Sequence, residues 1–446
     1  MIEAKFYHSI AFGNSLLFSV IFSMFILLYM SIRANRQDVL KDLSENTQKF
    51  ILYKEMTYPI LNSTEAKRLI TEYNQDEKIR NIETFGPVKN NSVVLVITVN
   101  KLHESLKYLI ASLSDLDAVE ETLLVFSHLT YDQELHDYIQ TIDFCRVLQI
   151  YYPYTLQVYT DEFPGFSKND CPSDMKHKKA EALKCNGAQT PDVHGKYRQP
   201  EKAEQKHYWW WTANRVFEHL LSFNNQNGLV VFLEDDVFLL KDFLYMTVYM
   251  HKLTLSLPQV EFMYLGLHEW SLKNDTYDID ITTWDPKQHS SVLAFDVTVW
   301  NSIIQHYDLF CEVDDSSWSR SLFYISLNRR DNKRFKVAYT TIPRAIKTSL
   351  CSFNGFYESC NVEDNVVNAL RMQRHLKSNL FPPYLEVYTH IELEDDEYMF
   401  FDVLEGEGGW NDPRDKALCS ANITENRVKK LLMDMSREFK DAYKSF

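Results

Sequence analysis

Three uncharged runs stand out along the chain: Val93–Val99, Leu123–Phe126 and Leu229–Leu233. Short runs with no polar alternation fit strands buried on both faces, as in a parallel sheet. Between the first two, Leu106, Leu109, Ile110 and Leu113 recur at helical spacing, so residues 93–126 read as strand, helix, strand. Such a βαβ unit opens a doubly wound α/β sheet of the nucleotide-binding kind. Val147–Tyr151 reads as another strand. Residues 152–205 carry Pro153, Pro164, Pro172, Pro191 and Pro200 and read as a long loop-like stretch. Trp209, Ala213, Val216, Phe217 and Leu220 then share one helical face, and that helix leads into the run Leu229–Leu233.

The third run stops at Glu234-Asp235-Asp236. A strand ending there puts three carboxylates on the C-terminal edge of the sheet, where open α/β sheets bind ligands. Adjacent acids repel one another unless a cation or solvent screens them. The triplet therefore reads either as a divalent-metal site gripping a diphosphate or as an acidic solvated loop. No GxGxxG or P-loop pattern occurs.

At the N-terminus the pattern changes kind. From Ala11 to Ile32 no side chain is charged and Phe, Leu, Ile and Met dominate, which is long enough for a transmembrane helix. No small-residue cleavage site follows, so the run predicts an uncleaved anchor. Lys5 precedes it while Arg33, Arg36 and Lys41 follow, a bias that alone would keep the body cytoplasmic. Sequons at Asn62, Asn90, Asn274 and Asn422 point the other way. Residues 33–85 are polar with scattered apolar positions and read as a partly helical stem.

Composition removes some alternatives. The 446-residue chain has a net charge of −15 and no basic stripe, which argues against nucleic acid as a partner. With 28 Phe, 26 Tyr and 8 Trp against 11 Gly, it reads as a packed globular protein rather than a disordered one. Its seven cysteines lack CxxC spacing, and an odd number leaves at least one unpaired. Glu407-Gly408-Gly409-Trp410-Asn411-Asp412 reads as a tight turn; Trp410 is either an exposed sugar-stacking ring or part of the core.

Five segments occur in the order and spacing of one known family: Phe144–Gln149, Asp161–Gly165, Lys206–Trp211, Phe232–Asp236 and Gly408–Asp412. They resemble the α-1,6-mannosyl-glycoprotein 2-β-N-acetylglucosaminyltransferase (N-acetylglucosaminyltransferase II) family over approximately residues 90–420. The resemblance implies a GT-A glycosyltransferase fold, an α/β architecture with a Rossmann-like mixed sheet flanked by helices. It also implies a Golgi type II membrane protein: cytoplasmic tail 1–10, transmembrane anchor 11–32, stem 33–85 and luminal domain 86–446. The implied reaction is inverting transfer of GlcNAc from UDP-GlcNAc, in β-1,2 linkage, to the α-1,6-arm mannose of an N-glycan acceptor, with Mn²⁺ as cofactor. The implied pairings are Cys171 with Cys185, Cys311 with Cys419 and Cys351 with Cys360, leaving Cys145 free.

Site residues carry over less completely. Asp236 matches the family's metal-binding aspartate, but the histidine ligand is matched by Lys347, whose protonated ammonium cannot ligate a metal. The base aspartate is matched by Ser319. The nucleotide-sugar segment corresponds to Thr98, Val99, Asn100, Lys101 and Leu102, with Leu129 in place of an aspartate and Glu204, Gln205, Lys206, His207 and Tyr208 further on. These departures leave three expectations: a divergent transferase; a catalytically inactive, membrane-anchored paralogue that binds a glycan or a partner; or a transferase with altered donor or metal use, in which Lys347 is a fixed cation facing the diphosphate.

Overall fold

The computed structural model describes residues 36–221, 228–266, 278–329, 334–353, 356–359, 361–389 and 406–423, together with 24, 30 and 34. Among the described residues no helix is long and apolar enough to cross a membrane. The run 11–32, apart from Met24 and Met30, lies outside them, as do Asn274, Cys360 and the side chain of Cys351.

The described strands, in chain order, are β1 (Val94–Val99), β2 (Leu123–His128), β3 (Arg146–Tyr151), β4 (Val230–Glu234), β5 (Val237–Leu239), β6 (Phe262–Tyr264) and β7 (Asp278–Thr283), followed by β8 (Val292–Phe295), β9 (Lys336–Thr340), β10 (Ala345–Lys347), β11 (Leu350–Phe353), β12 (Phe356–Ser359) and β13 (Glu386–Thr389). Nine of them form a mixed sheet in the order β13-β7-β9-β6-β8-β4-β1-β2-β3. The uncharged runs are its centre. β1, β2 and β4 are parallel neighbours, and Leu95, Val96, Ile97, Val125 and Val231 are fully buried. A strand covered on both faces has no solvent side to mark with polar residues, which is why these runs lack alternation.

The sequence-predicted helix after β1 is Glu104–Ser114, with Leu106, Leu109, Ile110 and Leu113 all at 0% exposure. From β1 the chain winds outward through β2 and β3, then returns to place β4 on the other side of β1. The strand order therefore reverses between β1 and β4, and a cleft opens at their C-terminal ends. Thr98 of β1 lies opposite Glu234 of β4, so the first βα loop and the acidic triplet are neighbours at that switch point.

The loop-like stretch 152–205 contains a short helix, His177–Leu183, beside the Cys171–Cys185 disulfide. The second disulfide joins Cys311 to Cys419, and Cys145 is a buried free thiol. The segment read as a stem is partly helical, at Glu45–Ile51, Ser63–Asp76 and Ile82–Phe85. It lies on the body, with Phe50, Ala66 and Ile70 buried. Trp410 is buried at 0% exposure and its Nε1–H donates to the Cys311 carbonyl at 2.8 Å. The sugar-stacking reading of that turn is thereby overturned: the indole is core.

Candidate active site

The acidic triplet leaves β4 and enters β5, a three-residue strand whose antiparallel partner is β10. In that register Val237 faces Lys347, which brings a lysine distant in sequence to the turn. Lys347 Nζ lies 2.6 Å from Glu234 Oε2 and 3.8 Å from Asp236 Oδ2. Burial favours the neutral amine, but the charges of Glu234 and Asp236 outweigh it and push the Lys347 pKa up. The side chain is an ammonium. For Glu234, burial and the neighbouring carboxylates push the pKa up against the opposing pull of Lys347.

The other two acids also have side-chain partners. His103 Nε2 sits 3.0 Å from Asp235 Oδ2. Its Nδ1 accepts the Leu106 N–H at 3.2 Å as the cap of helix Glu104–Ser114, so Nε2 carries the proton shared with Asp235. Ser349 Oγ bonds Asp236 Oδ2, while the Thr348 N–H and hydroxyl fix the Asp236 carbonyl at 2.7 and 2.8 Å. Each carboxylate of the triplet thus has its own protein donor, two from residues 347–349 and one from the loop after β1.

Ser319 lies in the first turn of helix Trp318–Asn328, capped by Ser317, whose Oγ is 3.1 Å from Ser319 Oγ. The preceding Trp318 stacks on Trp209. A cavity of about 200 Å³ opens beside them, lined by Thr98, Gln205, Tyr208, Glu234, Ser291 and Trp318 among others. It joins three separate parts of the sequence-predicted set to the helix that carries Ser319. Two carboxylates upstream of Ser319 are committed to backbone. Asp314 accepts N–H groups of Val193 and Trp410, and Asp315 those of Ser317 and Glu407.

Several residues of the predicted nucleotide segment point elsewhere. Lys206 is fully buried; its Nζ donates to the Asp315 carbonyl at 2.8 Å and lies 4.1 Å from the Trp410 ring centre. Burial drives its pKa well below the usual lysine value, against the pull of Asp315 and Asp314. His207 Nε2 meets Asp415 Oδ1 at 3.0 Å, and Asp415 also binds Arg198 at 2.6 Å. Glu204 Oε1 accepts the Leu156 N–H at 2.7 Å. Leu129 packs with Tyr152 and Tyr208, whose hydroxyl donates to the Ser127 carbonyl. Val99 is buried and Leu102 half-buried, whereas Asn100 and Lys101 are exposed at the switch point, where Asn100 Oδ1 accepts from Thr130 at 2.9 Å.

Sequence reasoning missed His103 and Ser349. His103 caps its helix, but histidine is not among the usual N-cap residues, so its role was not signalled. Nothing local announces Ser349.

The manganese implied by the resemblance can be tested against this donor set. Asp236 Oδ1 has no hydrogen-bond partner, which is one acceptor for a cation. Across the β5–β10 pair, however, stands an ammonium where a second ligand would be needed. Among the described residues no group of three or more His, Cys, Asp or Glu is arranged to hold a metal ion. The described residues do not make the expected site.

The family described as N-acetylglucosaminyltransferase II (MGAT2) matches residues 67–419. The α-1,6-mannosyl-glycoprotein 2-β-N-acetylglucosaminyltransferase of Rattus norvegicus is 30% identical over 358 residues, spanning 80% of this chain and 79% of its own length. The Homo sapiens protein of the same name is 30% identical over 363 residues, with 80% and 78% covered. The Arabidopsis thaliana protein is 27% identical, with 76% of each chain covered. Among solved structures, mannosyltransferase PcManGT from Pyrobaculum calidifontis in complex with GDP-Man and Mn²⁺ overlaps at a TM-score of 0.30 and 9% identity, covering 92% of this chain and 90% of that one. That overlap is too loose to bear on the chemistry.

Proposed function

The chain belongs to the N-acetylglucosaminyltransferase II family, and on that premise we propose that it transfers GlcNAc from UDP-GlcNAc to the α-1,6-arm mannose of N-glycans. The observation that carries this reading is the family match over residues 67–419, which includes the acidic turn at the β1/β4 switch point. The product is a β-1,2 linkage. The bond from C1 of the sugar to the diphosphate breaks with its electron pair going to UDP. The mannose 2-hydroxyl oxygen bonds to C1 from the opposite face and gives up its proton to water or to Glu234, the carboxylate lining the cavity. The named relatives are transferases, so the non-catalytic alternative is not favoured.

The mixed sheet with a cleft at its switch point supports a GT-A form. Two disulfides suit an oxidising compartment, and with the sequons they support a luminal body behind a Golgi anchor at residues 11–32. The body should then survive protease treatment of intact microsomes when a C-terminal tag is probed. Loss of the tag without detergent would reverse the topology.

The direct test of function is to incubate the purified protein with UDP-GlcNAc and an N-glycan whose α-1,6-arm mannose is free. Mass spectrometry should find one added N-acetylhexosamine on that mannose. Addition to the other arm, or none, would overturn the reading.

A further inference from the structure

We infer that Lys347 supplies the positive charge that meets the donor's diphosphate, so that this chain binds its nucleotide without a divalent cation. The inference rests on reading the site as one for UDP-GlcNAc. Its starting point is that each acid of the turn already has a protein donor: Glu234 is held by Lys347, Asp235 by His103 and Asp236 by Ser349. A bare carboxylate triplet repels a diphosphate and needs a bound cation to reverse its field. Here each acid already takes a protein donor, and on the β10 side Lys347 sets a fixed ammonium against Glu234.

Its geometry leaves capacity for a ligand. An ammonium has three N–H donors. Glu234 takes one at 2.6 Å, while Asp236 Oδ2 at 3.8 Å is beyond hydrogen-bond reach. Lys347 remains 31% exposed at its side chain and is anchored by the β5–β10 pairing, so the charge is held on a strand beside Glu234, which lines the cavity. Charge already in place stabilises a developing phosphate anion without reorganisation. A metal would have to enter beside that ammonium, against its like charge, although Asp236 Oδ1 is buried without a hydrogen-bond partner.

The test is calorimetric titration of UDP, and separately of uridine, into the full protein with excess chelator and with Mn²⁺. Wild type should bind UDP with the same affinity in both conditions. Lys347→Met should weaken UDP roughly ten- to hundredfold, the scale of one lost charge-assisted hydrogen bond, and leave uridine unchanged. Lys347→Arg keeps the charge and should retain most of the affinity. Lys347→His should bind UDP weakly with chelator and regain affinity with Mn²⁺. Wild-type binding that requires Mn²⁺, or equal loss of UDP and uridine affinity in Lys347→Met, would overturn the inference. Lack of UDP binding in both conditions, together with no GlcNAc transfer, would instead sink the transferase reading on which it rests.

Discussion

Trp209 and Trp318 stack with ring centres 4.3 Å apart and planes within 4° of parallel. One belongs to the helix Pro200–Asn214 and the other opens the helix that carries Ser319. The contact therefore fixes Ser319 against the core, because Trp209 is nearly fully buried. It also forms part of the wall of the cavity that Glu234 faces. Trp209→Ala should destabilise the protein by about 3–5 kcal/mol, the usual cost of removing a buried aromatic side chain. Trp318→Ala should cost less, since Trp318 is only half-buried, but should raise the KM for donor more than Trp318→Phe, which keeps a stacking ring. Urea unfolding and initial rates separate the two effects. Equal KM values for the two Trp318 variants would remove the stack from substrate binding.

How much of this was legible follows from how each contact is made. β1, β2 and β4 announce themselves because buried parallel strands leave uncharged runs. The switch point follows from them, since a strand after β3 that ends in acids has few places to go. The resemblance singled out Lys347, yet its pairing with Glu234 was not legible. That pairing depends on a three-residue strand meeting another three-residue strand, and such segments carry no periodicity to read. Lys206 and His207 sit in the sequence like exposed polar residues beside a tryptophan cluster. Their burial is decided by Trp410 and Asp415, two hundred residues away, which no local pattern reports.

Acid should unfold the protein through its buried histidines. His128 is fully buried, with Nε2 2.9 Å from Gln149 Oε1. Burial, and then the charge of His136, lower its pKa from 6.5 to about 3 despite the Gln149 hydrogen bond. An unfolded chain takes up that proton near 6.5 while the folded one does not. The stabilising contribution is thus complete above pH 6.5 and is lost as pH falls toward 3. The slope is about 1.4 kcal/mol per pH unit for each such group. His207, lowered by burial against the pull of Asp415, acts in the same direction. Urea unfolding between pH 6 and pH 4 should show a slope shallower by about 1.4 kcal/mol per unit in His128→Asn. An unchanged slope would mean His128 is protonated in the folded state.

The two disulfides should differ in weight. Cys311–Cys419 closes a separation of 108 residues and Cys171–Cys185 one of 14. If chain entropy dominates, removing the long bridge costs about 4–5 kcal/mol and the short one about 3. Cys311 and Cys419 also present their carbonyls to the indole N–H groups of Trp410 and Trp210, so the long bridge clamps the tryptophan core. Paired Cys→Ala variants compared by thermal melting should rank in that order. A larger loss from Cys171/Cys185 would show that the 152–205 segment, not the core, limits stability.

Ser319 stands where the family resemblance expects a base, and a carboxylate can be tried there. It occupies the first turn of its helix, where a carboxylate is favoured by the helix dipole. A seryl hydroxyl does not accept a proton usefully near neutral pH, and Asp314 and Asp315 are both engaged by backbone N–H groups. A positioned general base contributes typically 10²–10⁴-fold in rate. Ser319→Asp should therefore raise kcat for GlcNAc transfer by an amount toward the lower end of that range, with little change in donor KM. Adding Lys347→His should make the gain depend on Mn²⁺, because the fixed cation is then exchanged for a metal ligand. The effects need not add, since both act on one transition state. Single-turnover assays of the four proteins, with and without chelator, decide the matter. If wild type already turns over as fast as Ser319→Asp, the proton leaves through another group, and Glu234, the carboxylate lining the cavity, is the one to replace next.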